Sequence, residues 1–255
     1  MSRLLPVVLI AVLGLVSACG SPAETPAPDS KVAQGTVSAL DTKDVDYTTK
    51  LGLMRGHFIV AQELLTLKQP QAALPHFGHP IDELYLDIEE QLAEREVADF
   101  KTTLIQLRDM VKFSPESPKI TAQFQSALAA VDGAMEAIPA AQRESPTFVL
   151  QVIDGLLAAA SAEYNEAVTG GKIAERIEYE DSRGFVLYAD SLYKKIATQM
   201  AGDDPQTHQT ISTNLEQLKK AWPQTKPPTS AVVTPEQVTA SVKAIEAASQ
   251  KVAAL

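Results

Sequence analysis

Five Xaa-Pro pairs punctuate the chain beyond residue 44, and they limit its possible folds more than any other feature. They are His79-Pro80, Ser117-Pro118, Ser145-Pro146, Asp204-Pro205 and Thr234-Pro235. Proline suits the first position of a helix, where its missing N–H is one the helix would leave unpaired anyway. A serine, threonine or aspartate just before it can accept from the first turn. Behind His79-Pro80, Asp82 and Glu83 complement the dipole of a first turn, and Ile81, Leu84, Tyr85, Ile88 and Leu92 form an apolar stripe at helical spacing. Asp204-Pro205 opens a helix reaching roughly to Ala221. Thr234-Pro235-Glu236-Gln237 is a capping box, since Gln237 can reach back to the threonine amide.

Between these starts the pattern stays helical. A first helix is predicted from about Val45 to Lys68, with Leu53, Phe58, Ile59, Leu64 and Leu65 as apolar positions. Gln69 to Gly78 holds Pro70 and Pro75, so it reads as a turn or a short interrupted helix. Strand signals are absent, and Gly170-Gly171 reads as a helix stop. Sparse glycine and aromatic residues beside plentiful Ala, Leu, Gln and Glu complete a helical composition. The prediction is an all-α bundle of about seven helices with short connections. It occupies residues 45–221, followed by a Pro-rich linker at 222–233 and a C-terminal helix at 234–255 that packs back on the bundle or projects from it.

The amino terminus has a different grammar. Arg3 precedes an uncharged, mostly apolar run from Leu4 to Val16, then Ser17, Ala18 and Cys19, which is the layout of a secretory signal. That run is shorter than the ~20 residues a membrane-spanning helix needs, so a cleaved leader (residues 1–18) fits it better. Val16-Ser17-Ala18-Cys19 resembles the lipobox of bacterial lipoproteins, which implies diacylation of Cys19 and anchoring through its lipid. Stable anchoring takes two acyl chains, each buried methylene contributing ~0.8 kcal/mol. Cys19 is the single cysteine, so the mature chain can hold neither an internal disulfide nor a thiolate metal cluster. Residues 19–44 then read as the lipidated cysteine and a flexible tether, with Gly20 to Gly35 rich in Pro, Ala, Ser and Thr. The absence of aspartate after the cysteine implies, by resemblance to sorted lipoproteins, an outer membrane facing the periplasm if the cell has two membranes.

Removing the leader takes away Arg3 and leaves 21 basic against 32 acidic residues, a net charge of −11. That sign argues against nucleic acid or anionic lipid as a partner, because both need clustered Lys and Arg. The expected partners are the membrane, through the anchor, and another envelope protein.

Three of the four histidines, His57, His76 and His79, fall within one short region. In His76-Phe77-Gly78-His79-Pro80-Ile81-Asp82-Glu83, two imidazoles precede two carboxylates. Imidazole and carboxylate together suit iron, zinc or copper. Met54, three residues before His57 and on its helix face, would lean the set towards copper. The candidate metal ligands are His57, His76, His79 and Glu83, with iron or copper as the cofactor. His57 reaches the other two only if the connecting segment folds back along the first helix. A second acidic group comprises Glu175, Glu178, Glu180 and Asp181, followed by Arg183. Glu178 and Asp181 share a helix face and could hold a hard cation or accept from Arg183; a solvated helix face is the plainer reading.

The same stretch carries a resemblance. Glu163-Tyr164, Ala167-Val168, Gly171-Lys172-Ile173, Glu178-Tyr179 and Phe185 resemble the extracytoplasmic helical segments of some high-affinity iron permeases. The general design is also similar to the imelysin-like iron-uptake proteins of the bacterial envelope. The permease Arg-Glu-x-x-Glu motif is absent, and the imelysin Gly-x-His-x-x-Glu signature is unmatched, with Gly56 directly before His57 and Val60 in place of the glutamate. The resemblance implies metal binding as an accessory to uptake or homeostasis; the alternative is a metal-free helical module that docks another envelope protein. No Gly-x-Ser-x-Gly, His-Glu-x-x-His or phosphate-cradling loop occurs, and Ser191-Leu192-Tyr193-Lys194 lacks the companions of a Ser-x-x-Lys enzyme, so no catalytic residues are expected.

Overall fold

The computed structural model describes residues 39–253. Cys19, the leader and the tether as far as Gly35 lie outside the described residues. The order is α1 (Ala39–Thr66), α2 (Pro70–His79), a π turn (Pro80–Leu84), α3 (Tyr85–Glu94), α4 (Lys101–Phe113), α5 (Ile120–Met135), α6 (Ala140–Arg143), α7 (Pro146–Ala167), strands β1 (Val168–Thr169) and β2 (Lys172–Ile173), α8 (Arg176–Asp203), α9 (Pro205–Lys219) and α10 (Pro235–Ala253). The all-α bundle is therefore as predicted. It has more segments than seven among the described residues, because α6 is a single turn and the stretch from α2 to α3 is divided by the π turn.

Three caps work as the sequence implies. The hydroxyl of Ser145 accepts from the Phe148 amide at 3.3 Å, and the Asp204 carboxylate accepts from the Thr207 amide at 3.0 Å. Thr234 and Gln237 make the reciprocal pair of a capping box, at 3.0 and 3.3 Å. Ser117 bonds the Lys119 amide at 3.3 Å, but α5 starts only at Ile120.

His79-Pro80 does not open a helix. The chain runs from α2 through Pro80 into α3 by way of the π turn. A proline ring inside an α-helix clashes with the carbonyl four residues back, and a π turn widens the helix at that point. Gly170 and Gly171, at φ +57° and +75°, form the left-handed two-residue turn of a small hairpin rather than a plain helix stop.

Helices α7, α8, α9 and α10 close a ring in which each packs on two neighbours, so the last helix returns to the bundle against α7 and α9. Helix α1 lies on α7 and α8 and also packs on α2 and α5, while α4 joins α2 to α5. It is thus the shared wall of the two halves. The segment at 222–233 is irregular yet docked: Trp222 donates its indole N–H to Ser182 at 2.8 Å, Tyr179 donates to the Gln224 carbonyl at 3.1 Å, and Tyr164 donates to the Val233 carbonyl at 2.8 Å. Each hydroxyl and the indole N–H has a partner, as buried polar groups require.

Candidate metal centre

Two backbones approach closely where α1 crosses α8. A Cβ on Gly184 would lie 2.3 Å from the Gly56 carbonyl oxygen, and one on Gly56 would lie 2.6 Å from the Phe185 ring. Gly56 is therefore a helix-crossing glycine, which explains its place beside His57 better than the unmatched iron-uptake signature. One residue along α1 and three back along α8, the crossing sets His57 against Asp181. The short link after Thr66 turns α2 back along α1, so His76 and His79, three residues apart on one face, join them.

Three imidazoles converge on one carboxylate. The Nδ1 atoms of His57 and His76 each lie 2.7 Å from Asp181 Oδ1, and Nδ1 of His79 lies 3.1 Å from Oδ2. His76 is fully buried and Asp181 only 2% exposed, while the His79 side chain keeps 32% of its surface. The other nitrogen of His76 lies 3.0 Å from Glu180 Oε2, and the opposite oxygen of Glu180 accepts from Arg176 at 2.6 Å. Phe185 stands edge-on to the His57 ring at 5.0 Å and walls the cluster from the crossing side.

The electrostatics follow from this packing. Burial works to raise the Asp181 carboxyl, but the pull of His57 and the ring hydrogen bonds overwhelm it and hold the group well below the usual carboxylate range. Burial lowers His57 against the pull of Asp181, which favours its neutral form. Burial also works against the cationic form of His76, yet hydrogen bonds to Asp181 and Glu180 prevail and push it up to about 9. The bond to Asp181 raises His79. With both ring nitrogens facing carboxylates, His76 is an imidazolium, and the cluster holds protons where a cation could sit.

The donors fit a transition-metal ion. His57, His76 and Asp181 each offer one atom, all within 4.8 Å of one another, and His79 faces the same carboxylate. Among the described residues, two histidines and a carboxylate this close are the metal-capable group. Imidazole nitrogen with carboxylate oxygen suits iron, copper or zinc. Glu180, bonded to the far nitrogen of His76, matches the outer carboxylate that orients a metal-bound imidazole.

The structure unites the three histidines and merges them with the acidic group treated separately in the sequence. Glu83 is exposed and makes no hydrogen bond to the cluster, although its charge raises His79. Met54 is fully buried in the apolar core, so its thioether packs there. Glu178 is half-buried, beside Glu163, while Glu180 and Asp181 are buried rather than part of a solvated face. Arg183 pairs with Glu63 at 3.1 Å instead of with Glu178 or Asp181. Sequence reasoning missed Glu180 as the orienting group and Asp181 as the hub. The available signal was position: Asp181 stands four residues before Phe185 and eight before Ala189, on the apolar stripe of α8.

No helix among the described residues is long and apolar enough to cross a membrane. No curated protein and no solved structure matches the chain. Residues 139–255, which carry the ring of α7 to α10 and hence the carboxylate half of the site, match the family described as the iron permease-associated 4-helix bundle domain.

Proposed function

We propose that this is a lipid-anchored envelope protein that binds one transition-metal ion, iron or copper, through His57, His76, His79 and Asp181, as an accessory to metal uptake or homeostasis. The observation that carries the reading is the convergence of three imidazoles on one buried carboxylate. Such a cluster is costly to bury without a cation to share it, whether proton or metal. Asp181 takes the place first assigned to Glu83. The family match supports iron, since its description names an iron permease. It covers Asp181 and Glu180 but not the histidines, so the site spans the matched bundle and the helices before it. Cys19 supplies the anchor, and the bundle holds the ion at the end of the tether.

The test is metal content. The full-length chain, purified in detergent, is stripped with a chelator and reloaded in turn with iron, copper and zinc. Near-stoichiometric retention of one metal is expected. The double variant His76→Gln/His79→Gln should fall to the buffer background while keeping its helical circular dichroism. Equal metal in variant and wild type would remove these residues from the site.

Binding should also strengthen with pH. An ion takes deprotonated imidazole, so the proton on His76, held up to about 9, must leave, as must any proton His79 retains. Apparent affinity should rise about tenfold per pH unit for each proton displaced, and level off near pH 9. Calorimetry in buffers of different ionisation enthalpy counts those protons. A flat affinity from pH 6 to 9 contradicts the arrangement.

A further inference from the structure

The site as listed by its hydrogen bonds has one carboxylate, and the fold brings a second to its edge. Hairpin β1–β2 sets α7 and α8 antiparallel, with the Ala167 carbonyl accepting from the Ala174 and Glu175 amides at 2.8 and 3.3 Å. Glu163 lies about one turn back from Ala167 along α7, and Asp181 lies less than two turns on from Glu175 along α8. The two acids therefore sit at similar heights on facing helices. Glu163 is half-buried, and the charges of Asp181 and His79 both act on it. No hydrogen-bond donor is recorded for it among the described residues.

We infer that Glu163 closes the site from the α7 side, and that the completed set of three imidazoles and two carboxylates takes a divalent transition-metal ion such as Fe2+ in preference to Fe3+. This deepens the metal-binding reading and rests on it. Charge decides the oxidation state. Ligating imidazoles are neutral, so Asp181 alone would leave a divalent ion with one uncompensated charge in a buried pocket. Arg176 and Glu180 already neutralise each other at 2.6 Å and cannot supply the balance. A second carboxylate brings a divalent ion to neutrality and leaves a trivalent one cationic. Donor type points the same way, because ferric ion is hard and favours oxygen, whereas this set is mostly nitrogen. The free site shows the complementary strain. Burial, with the negative charges of Asp181, Glu166 and Glu178, pushes the Glu163 carboxyl up to about 7, so an ionised second acid is disfavoured there until a cation arrives.

The experiment compares metals and variants on the full-length chain in detergent. Ferrous ion under nitrogen, zinc, copper(II) and ferric nitrilotriacetate are titrated into wild type, Glu163→Gln and the exposed control Glu166→Gln. Wild type should hold Fe2+ and Zn2+ at least tenfold tighter than Fe3+. Glu163→Gln should lose about 10- to 100-fold in affinity for the divalent ions, the range seen when a supporting group of a metal site is removed. Glu166→Gln should change affinity by less than about threefold. Tighter retention of Fe3+, or a Glu163→Gln variant equal to wild type, overturns the inference while leaving a metal site in place. If wild type retains none of the four ions, the inference and the metal-binding reading fall together. Glutamine matches glutamate in shape, and circular dichroism separates lost binding from lost fold.

Discussion

Replacing Asp181 with asparagine should abolish metal retention and destabilise the ion-free protein by roughly 3 kcal/mol, the lower end of the range for breaking a buried charge pair. The carboxylate is the acceptor that three imidazole nitrogens share at 2.7, 2.7 and 3.1 Å. Asparagine keeps the shape but removes the charge and turns one acceptor into a donor. The cost stays at the lower end because the imidazoles can shed protons once their partner is gone. His76 would then keep only Glu180 as its carboxylate and titrate below the wild-type value of about 9. Linkage gives the sign. In wild type the depressed Asp181 carboxyl contributes stability that is present above its ordinary value of 3.8 and is lost as pH falls through the folded value. The raised His76 contributes stability that is full below 6.5 and is lost as pH climbs through about 9. Urea unfolding of ion-free protein at several pH values reads both limbs. The asparagine variant should lose the acid limb and most of the alkaline one. A variant that holds metal and unfolds like wild type would show that Asp181 is a bystander.

How far the sequence revealed this arrangement depended on whether the deciding interaction was local. Ser145, Asp204 and Thr234 each cap with groups three residues away, so their helix starts could be read directly. His79-Pro80 has the same dipeptide form and the opposite outcome, because packing of both flanking helices carries the chain through as a π turn. The histidines were visible as a group, but their acceptor lies more than 100 residues away, at separations of 124, 105 and 102. Nothing local connects them. Glu180 and Asp181 look in sequence like the Glu175 and Glu178 beside them, and only burial separates the two pairs. The resemblance to iron-permease segments touched the correct stretch of α7 and α8, where Glu163 and the acidic group lie. It carried no information on α1 and α2, which contribute every imidazole of the site.

Gly184→Ala tests the crossing that makes those distant partners meet, and it is expected to cost roughly 1–3 kcal/mol net and to impair metal retention. Two effects oppose each other. Alanine is a better helix former than glycine by about 1 kcal/mol, and α8 would gain that amount. Against it, the new Cβ would stand 2.3 Å from the Gly56 carbonyl oxygen, 2.8 Å from its carbon and 3.0 Å from a methyl of Val60. The first two are backbone atoms and cannot rotate aside, so α1 and α8 must part. Overpacking in a close-packed interior costs typically 1–3 kcal/mol and more when backbone has to move, which outweighs the propensity gain. Asp181 lies one turn before Gly184 and His57 follows Gly56, so parting the helices stretches the 2.7 Å contact on which the site depends. Gly133→Ala is the matched control. A Cβ there meets nothing within 4 Å, so only the propensity term remains and the variant should gain about 0.5–1 kcal/mol. Thermal unfolding of the two variants should therefore shift in opposite directions. Metal retention should fall for Gly184→Ala alone. If both variants are stabilised, the close approach of α1 and α8 does not hold His57 against Asp181, and another contact must set the site.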